Sequence, residues 1–220
     1  MNRRMLTWTM GAVIFLNFAA LPAVQAQDDF DAELKAVRDA WAIANYRTPA
    51  NQQEEVFKKL MVQSGAFADK YPKRPEALIW DGIVLSTYAG VNAGFGAMAP
   101  AKKSRERFEA ALAIDDKAMD GSAYTSLGTL YHKMPGWPIG FGSDKKARIY
   151  LEKALEISPN AIDPNYFYGE FLYDNGEYAK ALPYLEKARQ APPRPGREIA
   201  DAGRQAEITA LMAKVNKKLH

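Results

Sequence analysis

Three glycines, Gly82, Gly128 and Gly169, recur in one local setting: each lies in an apolar stretch with large residues three or four positions away. Leu78, Gly82 and Leu85 form the first stretch, and Tyr124, Leu127, Gly128 and Tyr131 form the second. The third is Tyr166-Phe167-Tyr168-Gly169-Glu170-Phe171-Leu172. Apolar residues at such spacings describe helix faces, and no stretch alternates with period two for long. A glycine on a helix face removes the side chain where a second helix would cross, so the two backbones can approach closely. A second apolar helix follows each time. Ser104, Phe108, Ala111 and Leu112 come after the first; Ala147, Leu151 and Ala154, then Pro159, after the second. After the third, Tyr178, Ala181, Tyr184, Leu185 and Ala188 precede Pro192-Pro193. The turn Asp174-Asn175-Gly176-Glu177 separates this last pair, with Gly176 placed for a tight reversal.

This grammar resembles the tetratricopeptide repeat (TPR), a helix-turn-helix unit of about 34 residues with a Leu-Gly-x-x-aromatic signature. The steps here are longer, 46 residues from Gly82 to Gly128 and 41 from Gly128 to Gly169. The excess falls between the two helices of each unit, which implies inserted loops. A degenerate first unit is read over 29–72, with Leu34, Val37, Trp41, Val56, Leu60 and Phe67 as its apolar residues. Units at 75–116, 121–159 and 162–193 follow. A closing helix over 196–219 carries Ile199, Ala202, Ile208, Leu211, Met212, Val215 and Leu219 as an apolar stripe, opposite Arg204, Lys214 and Lys217. The expected fold is an all-α, TPR-like helical solenoid of three to four units, its last exposed face covered by that closing helix.

Residues 1–26 read as an export signal. Asn2-Arg3-Arg4 is followed by an apolar run from Leu6 to Leu21. Pro22-Ala23-Val24-Gln25-Ala26 then places small residues one and three positions before a cut at Gln27. The alternative is a retained anchor, but the run is short for a span and Asn17 interrupts it. The chain has no cysteine, hence no lipid attachment site and no disulfide framework. The 194 residues from Gln27 onward are enough for one domain, 27–220, that buries about 70% of its unfolded surface. Without Arg3 and Arg4 the balance is 27 basic against 26 acidic residues, and no concentrated basic face interleaved with aromatics speaks for nucleic acid. The expected location is the bacterial periplasm.

Residues for catalysis are sparse. The only histidines are His132 and His220, so no metal-ligand spacing is present and no cofactor is expected. Asp115-Asp116 and Asp28-Asp29 are adjacent pairs whose side chains point apart, as helix caps do. Gly140-Phe141-Gly142-Ser143-Asp144-Lys145-Lys146 lacks phosphate-loop spacing and follows a helix, with Ser143 or Asp144 as an N-cap. The expectation is a binding protein and not an enzyme.

Two features carry the expected binding site. The first is the loop Met134-Pro135-Gly136-Trp137-Pro138-Ile139-Gly140-Phe141-Gly142, where Trp137 and Phe141 offer apolar surface on a stiffened backbone. Trp137 either caps the groove between repeats or lids a site. A smaller loop, Gly90 to Ala97, stands at the same point of the previous unit. The second feature is a stripe on the first helix of the last unit: Tyr166, Glu170 and Tyr173, with Phe167, Phe171 and Tyr168 on the buried side. Thr125, Thr129 and His132 hold the equivalent stripe one unit earlier. The stripe is a binding lining or an ordinary solvated face.

The export signal, the long loops and the Asp163-Pro164-Asn165-Tyr166-Phe167-Tyr168-Gly169 run together are similar to the T component of TPR-associated TRAP transporters. That resemblance implies a periplasmic protein partner, a solute-binding receptor, and handling of a small, apolar organic ligand. Members of that group are often lipoproteins, from which this cysteine-free chain departs. Two functions stay open. One is a scaffold that mediates protein–protein interaction along an open concave groove. The other is a transport accessory with an enclosed pocket. Self-association is compatible with either.

Overall fold

The computed structural model describes the backbone of residues 21–92 and 94–220, and the side chains of 27–92, 94 and 96–220. Nine α-helices lie among them: α1 (Leu21–Tyr46), α2 (Ala50–Lys70), α3 (Pro75–Val91), α4 (Met98–Ile114), α5 (Ala118–Lys133), α6 (Asp144–Ile157), α7 (Ile162–Asp174), α8 (Tyr178–Gln190) and α9 (Glu198–Leu219). Of the segment read as an export signal, residues 1–20 lie outside the described residues, and the backbone of 21–26 begins α1. Among the described residues, no helix is long and apolar enough to cross a membrane.

The helices pack as hairpins, α1 with α2, α3 with α4, α5 with α6 and α7 with α8. The odd-numbered helices form the inner layer: α1 touches α3, α3 touches α5, and α5 touches α7. The even-numbered helices lie outside, each also touching the odd helix that follows it. This is an all-α, TPR-like solenoid.

The three glycines stand where helices cross, as the sequence implies. A Cβ at Gly82 would stand 2.5 Å from the Phe108 ring of α4. At Gly128 it would stand 2.5 Å from Leu151 of α6, and at Gly169 2.7 Å from Leu185 of α8. The facing helices answer with alanines, Ala111, Ala147, Ala154, Ala181 and Ala188, all fully buried. Helix α3 is buried on nearly every side, from Ala77 to Leu85, because α1, α2, α4 and α5 all pack on it. The core falls into two clusters. One spans the later units, and the other gathers Phe30, Trp41, Phe57 and Phe67 of the first with Trp80 of α3. Ile83 and Met119 pack against both.

The last helix departs from the expectation in two ways. Its buried face is Ala200, Arg204, Ile208, Leu211 and Val215, so Arg204, expected on the polar side, lies on the packed one. Leu219 and Ala202, expected on the apolar stripe, are exposed. The reason sits on another helix. Asp163 of α7 accepts a 3.0 Å hydrogen bond from Arg204 Nε, and the guanidinium lies over the rings of Tyr166 and Phe167, 4.4 Å from each. Helix α9 also does more than cover α8. It reaches α7 and α1, closing the inner layer into a ring, α1-α3-α5-α7-α9. Gly203 sits against the Tyr46 ring of α1 with no room for a Cβ. Tyr46 Oη donates to Glu207 at 3.3 Å, and Arg38 donates to the Gly196 carbonyl at 3.4 Å.

Candidate functional site

The ring lines a cavity of about 290 Å³ with residues from all five inner helices and from the α8–α9 link in its wall. Its apolar wall is Trp41 of α1, Trp80 and Ile83 of α3, and Phe167 of α7. Trp41 and Trp80 meet edge to face with centroids 5.8 Å apart, and Trp41 Nε1 donates to Thr87 Oγ1 at 2.9 Å. Hydroxyls line the rest: Ser86 and Thr87 on α3, and Ser122, Thr125, Ser126 and Thr129 on α5. The α5 hydroxyls share a face because they recur at steps of three and four. Below them, Met119, Asp120 and Gly121 are consecutive residues with positive φ, 50°, 56° and 76°, and they turn the chain sharply into α5. Met119 thereby joins the cavity wall.

The cavity's charged residues are Lys133, Arg194, Arg197, Arg204 and a single carboxylate, Asp163. Three of the four cations have partners. Lys133 pairs with Asp174 at 2.8 Å and Glu170 at 3.2 Å. Arg194 donates to Asp163 at 2.6 Å and holds Asp201 at 2.6 Å. Arg204 spans Asp163 and Glu207. Burial alone would raise the Asp163 carboxyl, but Arg204 and then Arg194 hold it below the usual carboxylate range. Burial alone would lower the Arg204 guanidinium, and Asp163 leads the charges that raise it instead.

Arg197 differs from the other three. Among the described residues its guanidinium has no ion-pair or hydrogen-bond partner, and its Nε is buried and unmatched. It lies over the Trp80 ring, 5.3 Å from the centroid. Burial, and then the like charge of Arg194, push its pKa down to about 10, with Arg38 adding to the effect and Asp163 and Asp201 opposing it. Two other residues of the wall carry buried polar atoms without partners, Trp80 Nε1 and the Thr125 hydroxyl.

Of the residues expected to bind, Thr129 lines the cavity, with Thr125 of the same stripe, and the rest do not. Tyr166 is buried in the core beneath Arg204, its hydroxyl 3.5 Å from Glu170. Glu170 is engaged by Lys133, and Tyr173 packs on Tyr178 with centroids 5.4 Å apart. His132 is a clamp: Nδ1 lies 2.8 Å from Asp144 and Nε2 2.9 Å from Asp174, tying α5 to α6 and α7. The inner face of α7 runs through Asp163 and Phe167 instead.

The Trp137 loop stands apart from the cavity. Trp137 is 90% exposed and Ile139 74%, so Trp137 neither caps a groove nor lids the Tyr166 stripe. Phe141 anchors the loop, edge-on to Tyr131 and beneath the Arg105 guanidinium, 4.6 Å away. Gly142 N donates to the Pro135 carbonyl at 2.8 Å and Ser143 N to the Tyr131 carbonyl at 2.8 Å, folding the loop back on itself. Ser143 then caps α6, accepting from Lys146 N at 3.3 Å. Among the described residues, no group of three or more His, Asp or Glu could hold a metal ion.

Sequence reasoning missed Arg194 and Arg197 because the proline-rich stretch after α8 reads only as a terminator. The signal was there in Arg194-Pro195-Gly196-Arg197, two cations spaced by residues that fix a turn. No family model matches the chain, and no curated protein matches it. Among solved structures the chain is similar to one titled "Functional Characterization of Pseudomonas Aeruginosa pilF". The identity is 15%, over 87% of this chain and 92% of that one, with a TM-score of 0.35.

Proposed function

We propose that this protein is a non-enzymatic binding protein that holds a small organic molecule inside its closed ring of inner helices. The observation that carries the reading is the seating of α9 against both α7 and α1. An open solenoid offers its concave face to an extended peptide. Here α9 seats across that face, on α7 and α1, and narrows it to a pocket. What is left is a cavity of about 290 Å³ with an apolar wall and convergent polar groups, the usual make-up of a small-ligand site.

A thermal-shift screen of small organic compounds on the wild type and on Ser126→Phe tests this. Ser126 projects into the cavity wall, so a phenyl ring there competes with any occupant. A ligand at a hundred times its Kd adds about 2.7 kcal/mol of stability. Hits that stabilise the wild type and fail on Ser126→Phe are expected. Hits that stabilise both alike would put the binding elsewhere.

A second reading concerns the outside of the molecule. Trp137 and Ile139 are large apolar side chains held in water on an anchored loop, which favours a protein partner docking there. Both readings can hold together, a ligand within and a partner at the loop. The pairing suits a periplasmic accessory protein of a TRAP-type transporter. That setting, and export itself, rest on the sequence resemblance and on residues 1–26. Crosslinking in periplasm with Trp137→Ala as the control tests the loop: a captured partner lost in the variant supports it, and one retained refutes it.

A further inference from the structure

We infer that the cavity takes an organic monocarboxylate, its charged end at Arg197 and its apolar body along Trp41, Trp80 and Phe167. This rests on the ligand-cavity reading above and names the class of ligand.

The charge inventory selects the ligand. Four cations line the cavity, and three are already matched to carboxylates of the chain. Among the described residues, Arg197 alone of the four has none. Arg197 is half-buried and, among the described residues, forms no ion pair or hydrogen bond of its own; Asp163 and Asp201 act on it only from beyond contact, so its guanidinium keeps its donors free. A ligand carboxylate supplies what is missing, because the planar guanidinium fork matches its two oxygens. One free cation calls for one negative charge. A di- or triphosphate would bring several, and the cavity's other basic groups are engaged with Asp163, Asp174, Asp201, Glu170 and Glu207.

The remaining wall fits the body of such a molecule. Trp41, Trp80 and Phe167 offer ring faces and edges, and Ile83 adds an aliphatic patch, around a cavity of about 290 Å³. That space and lining suit an aromatic acid or a medium-chain acid. Arg197 lies over the Trp80 ring, so the cation and the apolar wall meet in one corner of the cavity.

Calorimetry with matched pairs tests the inference: 3-phenylpropanoate against 3-phenylpropan-1-ol, and octanoate against octan-1-ol. Each is titrated into the wild type, Arg197→Gln and Ser126→Phe. The acids are expected to bind the wild type about tenfold or more tightly than their alcohols, as a charge-assisted pair implies. Arg197→Gln should erase that preference while leaving the alcohols unaffected, and Ser126→Phe should abolish both. Unliganded Arg197→Gln should keep or raise the wild-type urea midpoint, because it removes an unmatched charge; a lowered midpoint would make Arg197 a structural residue and overturn the assignment. Equal affinities for acid and alcohol, or a preference that survives Arg197→Gln, would overturn the carboxylate and leave the cavity reading standing. Absence of heat from all these compounds would likewise overturn the assignment, and the thermal-shift screen then decides the cavity reading on its own.

Discussion

Replacing a helical glycine by alanine ordinarily stabilises a protein, by about 0.5–1 kcal/mol, and Gly203→Ala should do the opposite. A Cβ at Gly203 would fall on three atoms of the Tyr46 ring, well inside the 3.0 Å that real Cβ contacts essentially never breach. The atoms include Cγ, the root of the ring, so a small swing of its tip gives no relief. Either Tyr46 leaves its site or α9 lifts from α1. If Tyr46 leaves, its edge contact with Trp41 goes, 5.8 Å between centroids, worth about 0.5–1.5 kcal/mol. Its 3.3 Å hydrogen bond to Glu207 goes too, worth about 1 kcal/mol at that length. Against the helix-propensity gain, the net loss is about 0.5–2 kcal/mol, reaching into the usual range for overpacking. Gly65→Ala is the control. Gly65 lies in α2, and a Cβ there would meet nothing within 4 Å, so the same substitution should stabilise. Urea denaturation reads both: Gly203→Ala should lose about half a molar of midpoint at an m-value near 3 kcal/mol/M, while Gly65→Ala gains. A gain at Gly203 equal to that at Gly65 would mean α9 is not seated on α1, and the ring would be open.

Other substitutions probe the remaining joints. Gly169→Leu should lower the urea midpoint far more than the exposed Lys180→Glu, because Leu185 of α8 occupies the space, and overpacking costs about 1–3 kcal/mol. Asp163→Asn should destabilise by about 3 kcal/mol near neutral pH, since it strips the shared partner from Arg194 and Arg204. The wild-type carboxyl is held below its ordinary 3.8, so its contribution is complete above that pH and lost as the pH falls through the folded value. The gap between wild type and Asp163→Asn in denaturation midpoints should therefore close on acidification below 3.8, and a constant gap would refute the ion cluster. Trp137→Ala should leave stability within about 0.5 kcal/mol, whereas Trp80→Ala should cost about 3–5 kcal/mol.

The repeat frame was legible because it is local. Gly82, Gly128 and Gly169 announce helix crossings in their own segments, and the alanines that meet them stand one helix further along. The inner face of α7 was not legible. That helix is packed by α5, α6, α8 and α9, so apolar residues surround it, and periodicity alone cannot separate the face toward the cavity from the face toward the next helix. Reading Tyr166, Glu170 and Tyr173 as the lining is an error of about one residue step in phase; Asp163 and Phe167 hold that place. Arg204 was misplaced for a related reason. A cation at the spacing of Ile208, Leu211 and Val215 looks out of register until Asp163, forty-one positions earlier, supplies its counter-charge. Ring closure depends on contacts between the two ends of the chain, such as Gly203 on Tyr46, which no repeat pattern encodes.

Native mass spectrometry of the protein, purified without denaturation, bears directly on the ligand cavity. The wild type should carry one added small mass that is released on unfolding and identified as an organic acid, and Ser126→Phe should carry none. A wild type that stays at the bare polypeptide mass even after incubation with excess carboxylic acids, or a Ser126→Phe variant that carries the same adduct, would contradict it.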